Sequence, residues 1–171
     1  MSTSDLARKL VDYLRPFLDL RCVGGRLYLG SMFYLDFGDL FISSTSKGER
    51  IQVGEMTLSV RDVAWWLRNG SELVASSESI DTRQFEALIA QLVGSRLLGV
   101  SDTLTGEQLE IHFENERVLV IDLLNTWDTD SDTVQVSLPD GRVIAVTETG
   151  VLDENSGFDG ERARNWAASP R

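Results

Sequence analysis

The chain has 171 residues, 42% of them apolar, one cysteine and a formal charge of −11. That length suits a single domain with a sizeable core, and a lone Cys22 excludes an intrachain disulfide or a thiolate metal cluster built within one chain. The acidity argues against general binding to nucleic acid or anionic membranes, which needs a positive surface. No apolar run reaches transmembrane length, and the N-terminus lacks the basic and apolar regions of a signal peptide, so a cytoplasmic protein is expected.

In chain order, the spacing predicts a first helix beginning after Thr3 or Ser4, with Leu6, Leu10, Tyr13, Leu14 and Phe17 on one side and Pro16 ending it. Gly24-Gly25 breaks the helix and Arg26 to Leu29 starts a strand. Phe33, Leu35 and Phe37 then alternate with polar neighbours, and Gly38-Asp39 offers a turn into Leu40-Phe41-Ile42. Ser43 to Arg50 is polar and reads as a loop. Met56, Leu58 and Val60 alternate next. Asn69-Gly70, a two-residue hairpin signal, is expected to fold Trp65 against Val74 and Trp66 against Leu73.

The second part opens with Asp81 as helix cap and Gln84 three residues on. Phe85, Leu88, Ile89 and Leu92 form an apolar stripe, and Gly94 supplies a left-handed stop near Val93. Leu109, Ile111 and Phe113 alternate with Glu110, His112 and Glu114, as in a half-buried strand. A turn centred on Asn115-Glu116 would set Phe113 against Val118, Ile111 against Val120 and Glu114 against Arg117. Val134 and Val136 alternate, and Pro139-Asp140-Gly141 folds that strand back onto Arg142 to Val146.

Side by side, Gly24-Gly25-Arg26-Leu27 matches Gly94-Ser95-Arg96-Leu97, and Phe33-x-Leu35-x-Phe37 matches Leu109-x-Ile111-x-Phe113, the offset growing by a longer loop from Ser101 to Glu107. The expected fold is α+β: two similar units of helix plus antiparallel strands, residues 4–76 and 80–148, packed as one domain over residues 1–150, with mainly antiparallel sheet. Parallel hydrophobic patterns without common descent are the alternative. Residues 151–171 turn to Gly, Asn, Ser and charge and read as a disordered tail.

The chemistry advertised is sparse. Asp128, Asp130 and Asp132 resemble the opening of a calcium loop, but Thr133 occupies the glycine position and Pro139 that of the closing glutamate, so a solvated acidic turn is favoured and no metal is expected. A thiol nucleophile could be composed only from Cys22 and His112, and no local motif supports it. No phosphate loop, HExxH, GxSxG or dinucleotide fingerprint occurs, so no catalytic residues and no cofactor are assigned. The candidates left are contact residues. Trp65 and Trp66 are strand neighbours that must face opposite ways, Leu119 and Ile121 need a cover, and Trp166 is the one sticky residue of the tail.

The alternating Phe33 to Gly38 motif and the Asn69-Gly70 hairpin, in an acidic chain, resemble small uncharacterised bacterial α+β proteins similar in kind to the immunity proteins that neutralise polymorphic toxins. The resemblance implies a non-enzymatic protein that binds a partner through acidic and aromatic surface, Trp65, Trp66, Leu119, Ile121 and Trp166 being the residues offered. A basic protein partner and a homodimer are the associations expected. A small-molecule binding module with a pocket between the halves, or an uncharacterised domain of unknown function, is the alternative.

Overall fold

The computed structural model describes residues 3–27, 32–44, 48–78, 81–103, 105–126, 134–138, 143–146 and 152–153. Helix α1 (Thr3–Leu14) passes into a 3₁₀ turn (Arg15–Phe17) at Pro16, which cannot continue the α-helical hydrogen bonding. Seven strands follow: β1 (Cys22–Leu27), β2 (Phe33–Phe37), β3 (Phe41–Ser44), β4 (Arg50–Val53), β5 (Met56–Val60), β6 (Val63–Asn69) and β7 (Glu72–Ser76). Helix α2 (Thr82–Leu92) opens the second half. After it come β8 (Leu97–Asp102), β9 (Gln108–Phe113), β10 (Arg117–Thr126), β11 (Val134–Ser137), β12 (Val143–Val146) and β13 (Leu152–Asp153).

Among the described residues, thirteen strands against two α-helices make this a mainly antiparallel β protein, so the α+β expectation is overturned. Helical period is confined to two stretches of about three turns each. The polar stretch Ser43 to Arg50, read as a loop, has strand residues at both ends: β3 and β4 form a separate two-stranded hairpin, with Ser44 opposite Arg50. Nor are the halves self-contained. The first sheet runs β1-β2-β5-β11-β12-β13 and the second β7-β6-β10-β9-β8. Each half therefore builds three strands of one sheet and sends its next hairpin, β6–β7 or β11–β12, into the other. The helices are exchanged as well: α2 lies on β1, and α1 on β8.

Matching registers relate the two sheets. Cys22 opposes Phe37 as Leu97 opposes Phe113, each strand then bulging before Gly24 or Gly99. Leu35 opposes Leu58 as Ile111 opposes Leu119, and Val136 and Leu67 continue the same rows. Where the halves meet, contacts are reciprocal in the manner of an isologous interface. The Cys22 N–H donates to the Ser95 carbonyl (2.8 Å) and the Leu97 N–H to the Leu20 carbonyl (2.9 Å). Gly94 donates to Cys22 and Asp19 to Leu97, both at 2.7 Å, while Arg21 bridges Arg96. The Phe37 and Phe113 rings stack across this junction at 6.1 Å.

These pairings make Gly94 the equivalent of Asp19 and Gly99 that of Gly24, so the match of Gly24-Gly25 to Gly94-Ser95 is five residues out. The loop from Ser101 to Glu107 is no insertion: Cys22 and Leu97 are 75 positions apart, Phe37 and Phe113 76 apart. The real length difference lies later, where β3 and β4 are interposed between β2 and β5 while Glu114-Asn115-Glu116 alone joins β9 to β10.

One buried cluster holds the molecule together. Leu35, Phe37, Leu58 and Val136 from the first sheet meet Ile111, Phe113, Leu119 and Leu67 from the second, with Leu10 and Leu14 of α1 and Phe85, Leu88 and Leu92 of α2 closing the ends. Phe33 (β2), Trp65 (β6) and Phe85 (α2) form a ring trio with centroids 5.1 to 5.3 Å apart, pinning both sheets and a helix at one point. Helix α2 begins as its sequence requires: the Gln84 N–H donates to the Asp81 carboxylate (2.9 Å), and Gly94 follows at φ 92°. Its close seat on β1 depends on Gly25, where an added Cβ would run into Ile89 Cγ2.

Two hairpin registers differ from expectation. Val118 opposes His112 and Leu119 opposes Ile111, one residue away from the expected pairing. A one-residue slip exchanges the faces of a strand, so Leu119 and Ile121 turn inward and Val118 and Val120 outward. Both Asn115 and Glu116 have positive φ, and Glu114 leaves the ladder to bond Arg96 (2.6 Å) in place of Arg117. Arg117 instead caps the end of α2 through the Gln91 carbonyl. In the other hairpin, Asn69 opposes Glu72 across Gly70-Ser71, and a bulge at Val74 sets Trp66 against Ser76.

Candidate protein-binding face

Strand alternation divides the predicted contact residues. Trp65 is buried in the ring trio, and Leu119 and Ile121 lie in the core, covered by the other half of the chain. These three are unavailable to a partner. Trp66 points the other way and is half-buried on the outer face of the second sheet. Trp166 lies outside the described residues, as do Asp128 to Asp132, the Pro139-Asp140-Gly141 turn and the tail beyond Asp153.

Around Trp66 the outer face consists of two neighbouring rows. One runs Ser76, Trp66, Val120, Glu110, Ser101; the other Leu73, Arg68, Val118, His112, Gly99. Val120 is buried although it faces outward. Arg68 donates to Glu110 Oε1 at 2.8 Å, and its Nε is buried with no partner among the described residues. Glu110 Oε2 lies 3.5 Å from His112 Nε2, and Ser101 Oγ lies 3.0 Å from that same nitrogen. A serine hydrolase relay needs the carboxylate and the serine on opposite ring nitrogens; here both converge on one, and the carboxylate charge is engaged by Arg68. The cluster acts as a polar frame around an aromatic side chain. Nothing in the amino-acid order marks Arg68 or Ser101, since only sheet pairing places them beside His112.

Cys22 and His112 do not meet. The thiol sits in the core, bonded to the Gly24 carbonyl at 3.5 Å and pushed up to about 12 by burial, the nearby Asp36 carboxylate adding to the rise and the Gly24 bond opposing it. A thiol so placed is a poor nucleophile. Glu114, near Arg96 and 3.9 Å from Arg21, is held below the usual carboxylate range chiefly by its hydrogen bond from the Arg96 side chain. Among the described residues no cluster of three metal-ligating side chains occurs.

An open groove of about 460 Å³ lies where α2 crosses β1, lined by Gly24, Gly25, Arg26, Leu27, Glu86, Ile89, Ala90 and Val93. The Arg26 guanidinium on its rim is already committed to the Gln52 carbonyl (3.0 Å) and to Asp36 (3.5 Å).

The fold class is thus an antiparallel β protein of two main sheets with exchanged hairpins and a separate two-stranded ribbon, and no helix among the described residues is long and apolar enough to cross a membrane. No family model, no curated protein and no solved structure matches the chain.

Proposed function

We propose that the chain is a non-enzymatic binding protein, acting in the cytoplasm in the manner of an immunity protein, that engages a basic protein partner through the outer face of its second sheet. The observation carrying this reading is Trp66. The equivalent place on the first sheet is held by polar Gln135, whereas the second sheet sets a half-buried indole among Val118, Val120 and a charged frame. Half-buried aromatics rimmed by polar groups are the usual anchors of protein interfaces. The charge of −11 favours a basic partner and speeds its arrival.

The test is to capture partners on the immobilised chain, identify the retained protein and measure its association. A basic protein that associates more slowly as salt rises, and whose affinity falls at least ~30-fold with Trp66→Ala, is expected. A retained protein that ignores both salt and Trp66→Ala would overturn the reading.

A further inference from the structure

Strand β1 is terminal in the first sheet, with β2 on one side and no strand on the other among the described residues. A strand paired on one side alone points every second N–H and C=O outward. At Cys22 that outer edge is already in use. Its N–H donates to the Ser95 carbonyl (2.8 Å) and its carbonyl accepts from the Gly94 N–H (2.7 Å), an antiparallel approach that the bridge of Arg21 to Arg96 continues. From Gly24 to Leu27 the strand instead lines the groove of about 460 Å³, whose other wall is the α2 stripe Glu86, Ile89, Ala90 and Val93, spaced i, i+3, i+4 and i+7. The other half is filled at the corresponding place. By the offset of 75 between Cys22 and Leu97, Glu86 and Gly25 correspond to Val11 and Val100, apolar residues packed against the core.

We infer that this groove takes an extended peptide segment of a partner, added antiparallel to β1 as a further strand, with a Lys or Arg beside Glu86 and small or β-branched residues along Ile89, Ala90 and Val93. Continuity is the first support. The segment from Gly94 to Arg96 already meets this edge as an antiparallel backbone, and Gly24-Gly25 extends the edge with main chain bare of side chains. Size is the second: the strand from Gly24 to Leu27 and the helix from Glu86 to Val93 each run about 10–13 Å, room for three or four extended residues. Charge is the third. Arg26 is held by Asp36 (3.5 Å) and by the Gln52 carbonyl (3.0 Å), whereas the exposed Glu86 carboxylate has no ion pair among the described residues. Gly94 lies at Cys22 and Ile89 at Gly25, which sets Glu86 toward Leu27. An antiparallel segment therefore meets Glu86 with its N-terminal part and Val93 with its C-terminal part.

The test screens a displayed library of random peptides, about seven residues long, against the immobilised full chain and resynthesises the enriched peptides with capped ends. Enriched peptides with Lys or Arg ahead of β-branched residues are expected, and methylating their alternate backbone nitrogens abolishes binding. Ala90→Arg, at an exposed helix position that leaves the fold intact, weakens them at least ~10-fold by filling the groove. Glu86→Lys weakens them by ~3–5-fold, the worth of one exposed ion pair, and moves the preference toward acidic peptides. Hydrogen exchange across Gly24 to Leu27 slows when the peptide is added. No enrichment, or enriched peptides that bind Ala90→Arg equally and leave exchange in β1 unaltered, overturns the inference. So does slow exchange there without peptide: independent of concentration, it puts a segment of the same chain in the groove, and dependent on concentration, a second copy. Trp66→Ala leaves peptide binding in place, so failure here and failure of the reading built on the second sheet are distinguishable.

Discussion

The two sheets carry equivalent rows and treat their outer faces in opposite ways. On the first, Asp36 is buried and accepts hydrogen bonds from the Thr57 hydroxyl (2.6 Å) and the Gly54 N–H (3.1 Å), tying down the chain as it returns from β4. Arg26 and Arg61 lie 5.3 and 5.8 Å from the centroid of the Tyr34 ring, and Arg26 reaches the β4 carbonyl of Gln52. On the second, the equivalent of Asp36 is His112 and that of Tyr34 is Glu110, and the strands are joined by three residues in place of a hairpin. One topology thus yields a face closed by its own insertion and a face left open around Trp66. The difference teaches that loop length, more than strand content, decides which surface is offered.

The largest expected effect tests the junction itself. Phe37→Ala and Phe113→Ala should each cost ~3–5 kcal/mol in denaturant unfolding, and the double variant should cost less than the sum by ~0.5–1.5 kcal/mol, the usual worth of a ring pair. Strict additivity would mean that the stacked rings are independent. Next comes the outer-face contrast. Asp36→Ala strands two buried donors and should cost ~3 kcal/mol, whereas His112→Ala at the equivalent position should stay within ~0.5 kcal/mol. Equal losses would remove the distinction between a closed and an open face.

Backbone conformation offers a smaller contrast. Gly94 (φ 92°) and Asp19 (φ 71°) hold reciprocal positions in the left-handed region. Gly94→Ala should cost ~1–2 kcal/mol, while Asp19→Gly relieves strain but adds unfolded-state entropy and should be within ~0.5 kcal/mol of neutral. Thermal melts of the pair decide it. Smallest is the pH dependence of Glu114, which has Gly38 as its counterpart in the first half. Its folded pKa lies below the unfolded one, so its contribution is fully present above the unfolded carboxylate pKa and disappears as pH falls through the folded value. Glu114→Gln should flatten the acid limb of the stability curve, and an unchanged limb would show that the Arg96 pair is idle.

Local signals were legible wherever one residue governs one bond. Asp81 capping α2, Gly94 stopping it, Pro16 ending α1 and the alternation of β2 and β9 follow from side-chain chemistry and backbone sterics within a few residues. Period two also fixed that Trp65 and Trp66 face apart. Pairing register was not legible: the choice between a two- and a three-residue connection at Glu114 to Glu116 inverts every side chain of β10, and it is made by Arg96 drawing Glu114 out of the ladder. The exchange of hairpins between sheets was equally hidden, because β6 and β11 bury the same apolar pattern against either neighbour. The amino-acid order by itself determined elements, caps and which side of most strands is apolar. Tertiary structure alone decided which strand each edge meets, whether Leu119 and Ile121 are core or surface, and that Arg68, Glu110, His112 and Ser101 share a face, since contacts between residues distant in sequence are chosen by the packing of the whole chain.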